Sequence, residues 1–181
     1  DYTVFIDFPY KSGAYGYMKY KYHFPGETGN IVSLITHRHE DHFEPFLFEQ
    51  QETWKIIGPK EITIALSQRK IIELSDEITF GPVVIVPKQS KHANTEHYSY
   101  LVTWNGKRLF FTGDTEDIEV LKGLPDLDAL FITSWFYRKA AQNKSLPVTK
   151  NIIIQHHKEK EIILDCKGCI IPQQYQEIEI Q

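Results

Sequence analysis

The chain has 181 residues, 41% hydrophobic and 24% charged, which fits one globular domain over residues 1–181 and excludes disordered and fibrous classes. Twenty basic against 24 acidic side chains leave a net charge of -4, the wrong sign for wrapping nucleic acid or binding anionic lipid. No apolar run approaches the roughly 18 residues of a membrane helix, and two cysteines are too few for a disulfide framework, so a small-molecule substrate stays open.

The chain opens at Asp1 without an initiator Met, a basic stretch or an apolar targeting run. A cytoplasmic location is favoured, with export as the option if a removed segment preceded Asp1. Tyr2 to Phe8 reads as a strand that runs until Pro9. A strand starting at residue 2 implies an upstream partner, so a longer natural N-terminus is expected, and without it a sheet edge is left uncovered. Pro9 to Gly29 is a Gly- and Tyr-rich loop (Tyr10, Tyr15, Tyr17, Tyr20, Tyr22), either a rim for substrate or a patch of half-buried aromatics. Ile31 to Thr36 is a buried-type strand, and Phe43 to Phe48 has the periodicity of a short helix.

A strand at Trp54 to Ile57 follows, then a helix from Pro59 to about Arg69. Short strands are expected near Ile71 to Leu74, Glu77 to Phe80 and Val83 to Val86. Tyr98 to Trp104 and Lys107 to Thr112 are strands joined by the hairpin dipeptide Asn105-Gly106. Thr115 to Leu121 is helix-like. Ala129 to Thr133 and Ile152 to Gln155 are strands with a polar, Lys-containing connection, and Glu161 to Leu164 and Glu177 to Ile180 again have β character. No internal repeat or linker interrupts this strand-dominated α/β chain.

The chemistry concentrates in Thr36-His37-Arg38-His39-Glu40-Asp41-His42, between an apolar strand and a helix. Side chains two apart at a strand end point the same way, so His37 and His39 can face one target while Asp41 and His42 turn back toward it. A single histidine is ordinarily a satisfied core or surface residue. Three histidines and an aspartate at this spacing would be costly to gather without a cation, and imidazole and carboxylate are ligands for zinc, iron and manganese.

This stretch resembles the His-x-His-x-Asp-His signature of the metallo-β-lactamase superfamily. The resemblance implies a four-layer αββα sandwich of two mixed β-sheets with helices outside, its N-terminal strands truncated here. It implies two divalent metal ions, zinc first and iron or manganese as alternatives, with His37 and His39 on one and Asp41 and His42 on the other. The family's next ligand is a histidine ahead of a hairpin, here His92 in preference to His97. A strand ending in Gly-Asp follows, matched by Gly113-Asp114, which makes Asp114 the bridging carboxylate. The last is a histidine after a late strand, His156 in preference to His157.

The implied activity is hydrolysis of an ester, lactone, amide or phosphoester bond of a small substrate by metal-bound hydroxide, with Asp41 accepting or relaying the proton. The branch containing the ascorbate-6-phosphate lactonases is the nearest in look, and antibiotic hydrolysis is disfavoured. Two rivals stand beside this: an iron-dependent oxidoreductase or dioxygenase relative, and an inactive metal-binding module. The missing front strand pair and the short segment between Ala129 and Lys150 depart from the family. The ring orientations would be fixed by carbonyls around Thr36 and by the hydroxyls of Thr112 and Thr115. His23 fits no family position. Trp135-Phe136-Tyr137-Arg138 either flanks the pocket, with Arg138 steering an anion, or packs as an aromatic cluster. Cys166-Lys167-Gly168-Cys169 lacks the second pair that a structural zinc needs and reads as small residues near a turn.

Overall fold

The computed structural model of the chain describes residues 1–16, 19–20, 29–157, 163 and 166–181. Tyr17, Tyr22, His23 and most of the Glu161 to Leu164 segment lie outside the described residues.

Strand β1 (Tyr2–Ile6) pairs in parallel with β2 (Asn30–Leu34), and β2 pairs in parallel with β3 (Lys55–Ile57). β1 is shorter than the sequence implies because Asp7 turns into the left-handed region at φ 50°, ending the ladder at Ile6. The second sheet has the order β4-β5-β6-β7-β8-β9. β4 (Ile78–Phe80), β5 (Val83–His92), β6 (Thr95–Trp104) and β7 (Lys107–Phe111) run antiparallel in succession, and β8 (Leu127–Thr133) and β9 (Thr149–Gln155) add in parallel.

Burial explains the layering. Residues Ile31 to His37 are buried without interruption, the pattern of a parallel strand covered on both faces. One face of β2, through Val32 and Leu34, packs with Ile57 against Val83, Ile85, Tyr100 and Val102 of the larger sheet. The other face, with Ile35 and Ile56, is covered by Phe43, Phe48 and Ile62 around the short helices α1 (Pro45–Glu49) and α2 (Lys60–Thr63). The outer face of the larger sheet, with Phe110, Leu130, Ile132 and Ile154, is covered by Phe136 and Ala140 of α3 (Ser134–Gln142) and by Val120 and Leu121. The result is helix, sheet, sheet, helix. The smaller sheet is parallel throughout and the larger one mixed.

Several elements differ from expectation for identifiable reasons. The helix after Pro59 stops at Thr63, and a separate 3₁₀ turn spans Gln68–Lys70; consecutive β-branched Ile62, Thr63 and Ile64 support a helix poorly. Of the Thr115 to Leu121 helix only a 3₁₀ turn at Ile118–Leu121 forms, capped by the Asp117 carboxylate. Near Ile71 there is a single bridge to Ile56 instead of a strand. The Glu177 to Ile180 segment forms no strand; the C-terminal stretch instead bridges β9 through Ile170 and Ile153. Helix α3 replaces much of the expected polar connection, with the Thr133 hydroxyl accepting from Phe136 N–H at 3.4 Å.

β5 runs six residues beyond Val86, so His92 is the last residue of a strand and not part of a loop. Its partner across the Ala93-Asn94 turn is Thr95. Cys166 and Cys169 are joined as a disulfide across the Lys167-Gly168 turn, a pairing that the reading as plain turn residues did not include. Among the described residues no helix is long and apolar enough to cross a membrane.

Candidate metal centre

The two sheets bring seven histidine and aspartate side chains to one edge, in two adjacent groups. His37, His39 and His92 form one, and Asp41, His42, Asp114 and His156 the other, each with its ligand atoms within 4.8 Å of one another. The rings of His37 and His42, with centroids 4.2 Å apart, set the groups side by side. Four segments far apart in sequence supply them: the turn after β2, the end of β5, the residue pair after β7 and the residue after β9.

In the first group His37 Nε2 lies 2.8 Å from His39 Nδ1, which lies 3.4 Å from His92 Nε2. Ring tautomers follow from the network beneath. The Thr36 hydroxyl donates to Asp7 Oδ2 at 2.8 Å and therefore accepts from His37 Nδ1–H at 3.0 Å. That leaves the lone pair of His37 on Nε2, facing His39. Burial, reinforced at His37 by the His42 charge, pushes the pKa values of His37 and His92 down, so both rings stay neutral.

The second group pairs two carboxylates with two imidazoles. His156 Nε2 lies 3.1 Å from Asp41 Oδ2 and 3.4 Å from Asp114 Oδ2, and His42 Nε2 lies 3.3 Å from Asp114 Oδ2. Burial alone would raise both carboxyls, yet the bond from His156 to Asp41 and the closeness of the His42 ring to Asp114, with the charges behind them, hold both below the ordinary range. His42 and His156 are raised in turn: burial, which opposes their charge, is outweighed by Asp7 and Asp114 at His42 and by Asp41 and Asp114 at His156. Two carboxylates at one buried site therefore attract positive charge.

Three buried atoms, Asp41 Oδ1, His42 Nε2 and Asp114 Oδ1, have no hydrogen-bond partner among the described residues. Leaving such buried polar atoms unmatched costs about 1–3 kcal/mol each. Divalent cations would satisfy them, and the imidazole and carboxylate donors are those that zinc, iron and manganese accept. The residues therefore fit such ions.

The neighbouring side chains sort the alternatives. His97 Nε2 accepts from Asp114 N–H at 3.2 Å while its Nδ1 donates to Ser90 Oγ at 2.7 Å, so both ring nitrogens are used beneath the site. Burial lowers its pKa to about 3. The Ser99 hydroxyl extends this row, donating to Thr112 O at 2.8 Å. Gly113 is required here: its φ is +60°, and a Cβ would stand 2.6 Å from His97 Nε2 and 2.8 Å from the Thr36 methyl. His157 turns away, its Nε2 3.0 Å from Pro172 O. Trp135, at the start of α3, sets its ring edge-on to His156 at 5.3 Å, so it flanks the site, whereas Phe136 packs in the core.

Asp7 was not singled out in the sequence. Its Oδ1 accepts from Thr36 N–H at 2.6 Å, and its Oδ2 from the Thr36 hydroxyl and from His42 Nδ1–H, both at 2.8 Å. It holds the His42 ring with Nε2 aimed into the site, as a carboxylate behind a metal-binding imidazole would. The signal available was an acidic residue ending an otherwise apolar strand, just before a proline. The hydroxyls of Thr112 and Thr115 instead bond Gly113 O and Lys91 O, so Thr36 and Asp7 do the orienting expected of them.

The model of a β-lactamase superfamily domain matches residues 25–158. No curated protein matches the chain by sequence. Among solved structures, one described as a "putative metal-dependent hydrolase" from Parabacteroides distasonis has 23% identity and a TM-score of 0.58, covering 78% of this chain and 74% of that one. CmlA, a diiron β-hydroxylase from Streptomyces venezuelae, has 17% identity and a TM-score of 0.52 over 72% of this chain and 36% of its own. A diphosphatase of the PhnP family has 14% identity and a TM-score of 0.51 over 83% and 71%. The layered fold, the two groups of histidine and aspartate, and the matched domain agree: the chain belongs to the metallo-β-lactamase superfamily.

Proposed function

We propose that the protein is a dinuclear metal-dependent hydrolase of a small-molecule substrate. His37, His39 and His92 would hold one divalent cation and Asp41, His42 and His156 the other, with Asp114 as the shared carboxylate. Zinc is the first choice of metal. The observation that carries the reading is the set of buried, unpartnered Asp41 Oδ1, His42 Nε2 and Asp114 Oδ1 beside the clustered imidazoles of His37, His39 and His92.

When bound, such cations supply Lewis acidity that brings the pKa of a coordinated water from about 15.7 toward 7 and polarises the attacked carbonyl or phosphoryl oxygen. The chain's own groups do the rest. Asp7 and Thr36 hold the rings of His42 and His37 in the tautomers that present Nε2. Asp41 would accept or relay the proton of the attacking water with the carboxylate oxygen not used on the cation. Trp135 walls the His156 side of the site. An ester, lactone, amide or phosphoester is the substrate class; the diphosphatase of similar fold gives phosphoesters a place in the panel.

The test is a hydrolysis panel over these four bond types with zinc-loaded protein, an excess of chelator, and an Asp41→Asn variant that keeps its metal. Turnover of one class, lost with chelator and in the variant, supports the reading. Full activity in the metal-loaded variant refutes the role of Asp41, and activity that survives complete metal removal refutes the metal-dependent reading. The diiron β-hydroxylase of similar fold favours a second reading as an iron oxidoreductase; iron in the purified protein with no hydrolysis of the panel would select it.

A further inference from the structure

The first histidine group is assembled from two separate pieces of chain, the turn carrying His37 and His39 and the tip of the β5–β6 hairpin carrying His92. Little covalent structure holds them in register. His92 is the last residue of β5 and is followed at once by the two-residue turn, and hairpin tips are where ladders open most readily.

Glu61, on α2, touches both pieces. Its Oε2 lies 2.9 Å from Nε of Arg38, the residue between His37 and His39, and accepts from the Thr95 hydroxyl at 3.0 Å. Its Oε1 accepts from Glu96 N–H at 3.3 Å. Thr95 is the cross-strand partner of His92. Glu96 reciprocates, accepting from Lys60 N–H at 3.0 Å and from the Tyr98 hydroxyl at 3.2 Å. The second group shares this turn through Asp41 and His42 but has no link to Glu61 beyond it among these contacts, its rings being bonded to Asp7 and Asp41.

We propose that Glu61 is a positioning residue that locks the His37–His39 turn to the His92 hairpin and thereby sets the geometry of the three-histidine group alone. The inference rests on the reading of that group as a cation site. A lone exposed ion pair contributes little to stability, and the Arg38 and Glu61 side chains are 59% and 35% exposed. The expected effect is therefore on the placement of imidazoles: Glu61 bonds the chain neighbours of the three histidines and not their rings, so the loss should reach at most the low end of that for groups bonded directly to ligands, about tenfold in metal affinity.

The test is zinc titration of metal-free wild type, Glu61→Ala and Glu61→Gln, followed through the resolved ring-proton resonances of the site histidines, with the melting temperature of each metal-free protein measured in parallel. In Glu61→Ala, saturation of His37, His39 and His92 should need about tenfold more zinc, with His42 and His156 titrating as in wild type and the metal-free melting temperature unchanged. Glu61→Gln keeps an acceptor for the hairpin but loses the charge facing Arg38, and should fall between the two. Unchanged zinc dependence of all five histidines overturns the proposal while leaving the two-cation reading intact. So does equal weakening of both groups together with a lower melting temperature, which would mark a general structural role. Failure of wild type to bind zinc at all would overturn the cation reading and this proposal with it.

Discussion

Replacing Asp7 by Asn is the sharpest single perturbation of the supporting network, because the change is isosteric and the donors facing it are fully specified. Three hydrogens point at the carboxylate: Thr36 N–H at Oδ1, and the Thr36 hydroxyl and His42 Nδ1–H at Oδ2. An amide offers one oxygen and one NH₂. If its oxygen takes the Oδ2 position, the NH₂ meets Thr36 N–H and a buried donor is left unmatched, at a cost of about 1–3 kcal/mol. If its oxygen takes the Oδ1 position, the NH₂ faces His42 Nδ1, which must give up its proton; the proton then sits on Nε2 and removes the lone pair from the site. Either arrangement also loses the charge that keeps His42 raised. We expect Asp7→Asn to lose about 1–3 kcal/mol in urea unfolding of the metal-free protein. Zinc affinity at the Asp41, His42, Asp114 and His156 group should fall tenfold to a hundredfold, on the order seen for carboxylates behind ligating histidines. Competition with a chromophoric chelator reads the second effect. Wild-type stability together with wild-type affinity would refute the assignment of Asp7 as the group that orients His42.

Other expectations follow from the same geometry. Gly113→Ala should cost about 3 kcal/mol, combining a left-handed backbone with the displacement of the His97 ring and Thr36; a loss under about 1 kcal/mol in urea unfolding would show that the turn has room. His97 should remain neutral with its proton on Nδ1 at every pH above about 3. Since its folded pKa lies below the 6.5 of the unfolded chain, the unfolded state binds more protons between these values. Its contribution to stability is then complete above pH 6.5 and is lost as pH falls toward 3, at up to about 1.4 kcal/mol per unit. A ¹⁵N spectrum in which this ring titrates near 6.5 would contradict the buttress role. Chelation should lower the thermal midpoint of zinc-loaded protein, since a cation at 100 times its dissociation constant adds about 2.7 kcal/mol per site; an unchanged midpoint would deny the metal any part in stability.

Much of the site was legible because its chemistry is dense in sequence. The turn from Thr36 to His42 places four candidate ligands, three imidazoles and a carboxylate, within six residues directly after an apolar strand, and Gly113-Asp114 follows another strand. The choice between His92 and His97 needed three dimensions. Both lie on one hairpin, and only the packing of His97 between Ser90 and Asp114 N–H distinguishes a buttress from a group aimed at the site. Asp7 was hidden because a lone carboxylate at a strand end has no local partner; Thr36 and His42 reach it across about thirty residues of intervening chain. Helix α3 was missed because β8 passes into it without a loop, although the Thr133 cap and the Phe136 and Ala140 spacing carry its signal. The length of β5 is hard to read in sequence because Lys88, Gln89 and Lys91 are polar and wholly or partly exposed while still paired with β6.

The most direct test is anomalous diffraction from crystals of the zinc-loaded protein. Two peaks are expected, one among His37, His39 and His92 and the other among Asp41, His42, Asp114 and His156. No peak at that sheet edge, or zinc bound elsewhere on the chain, would contradict the account.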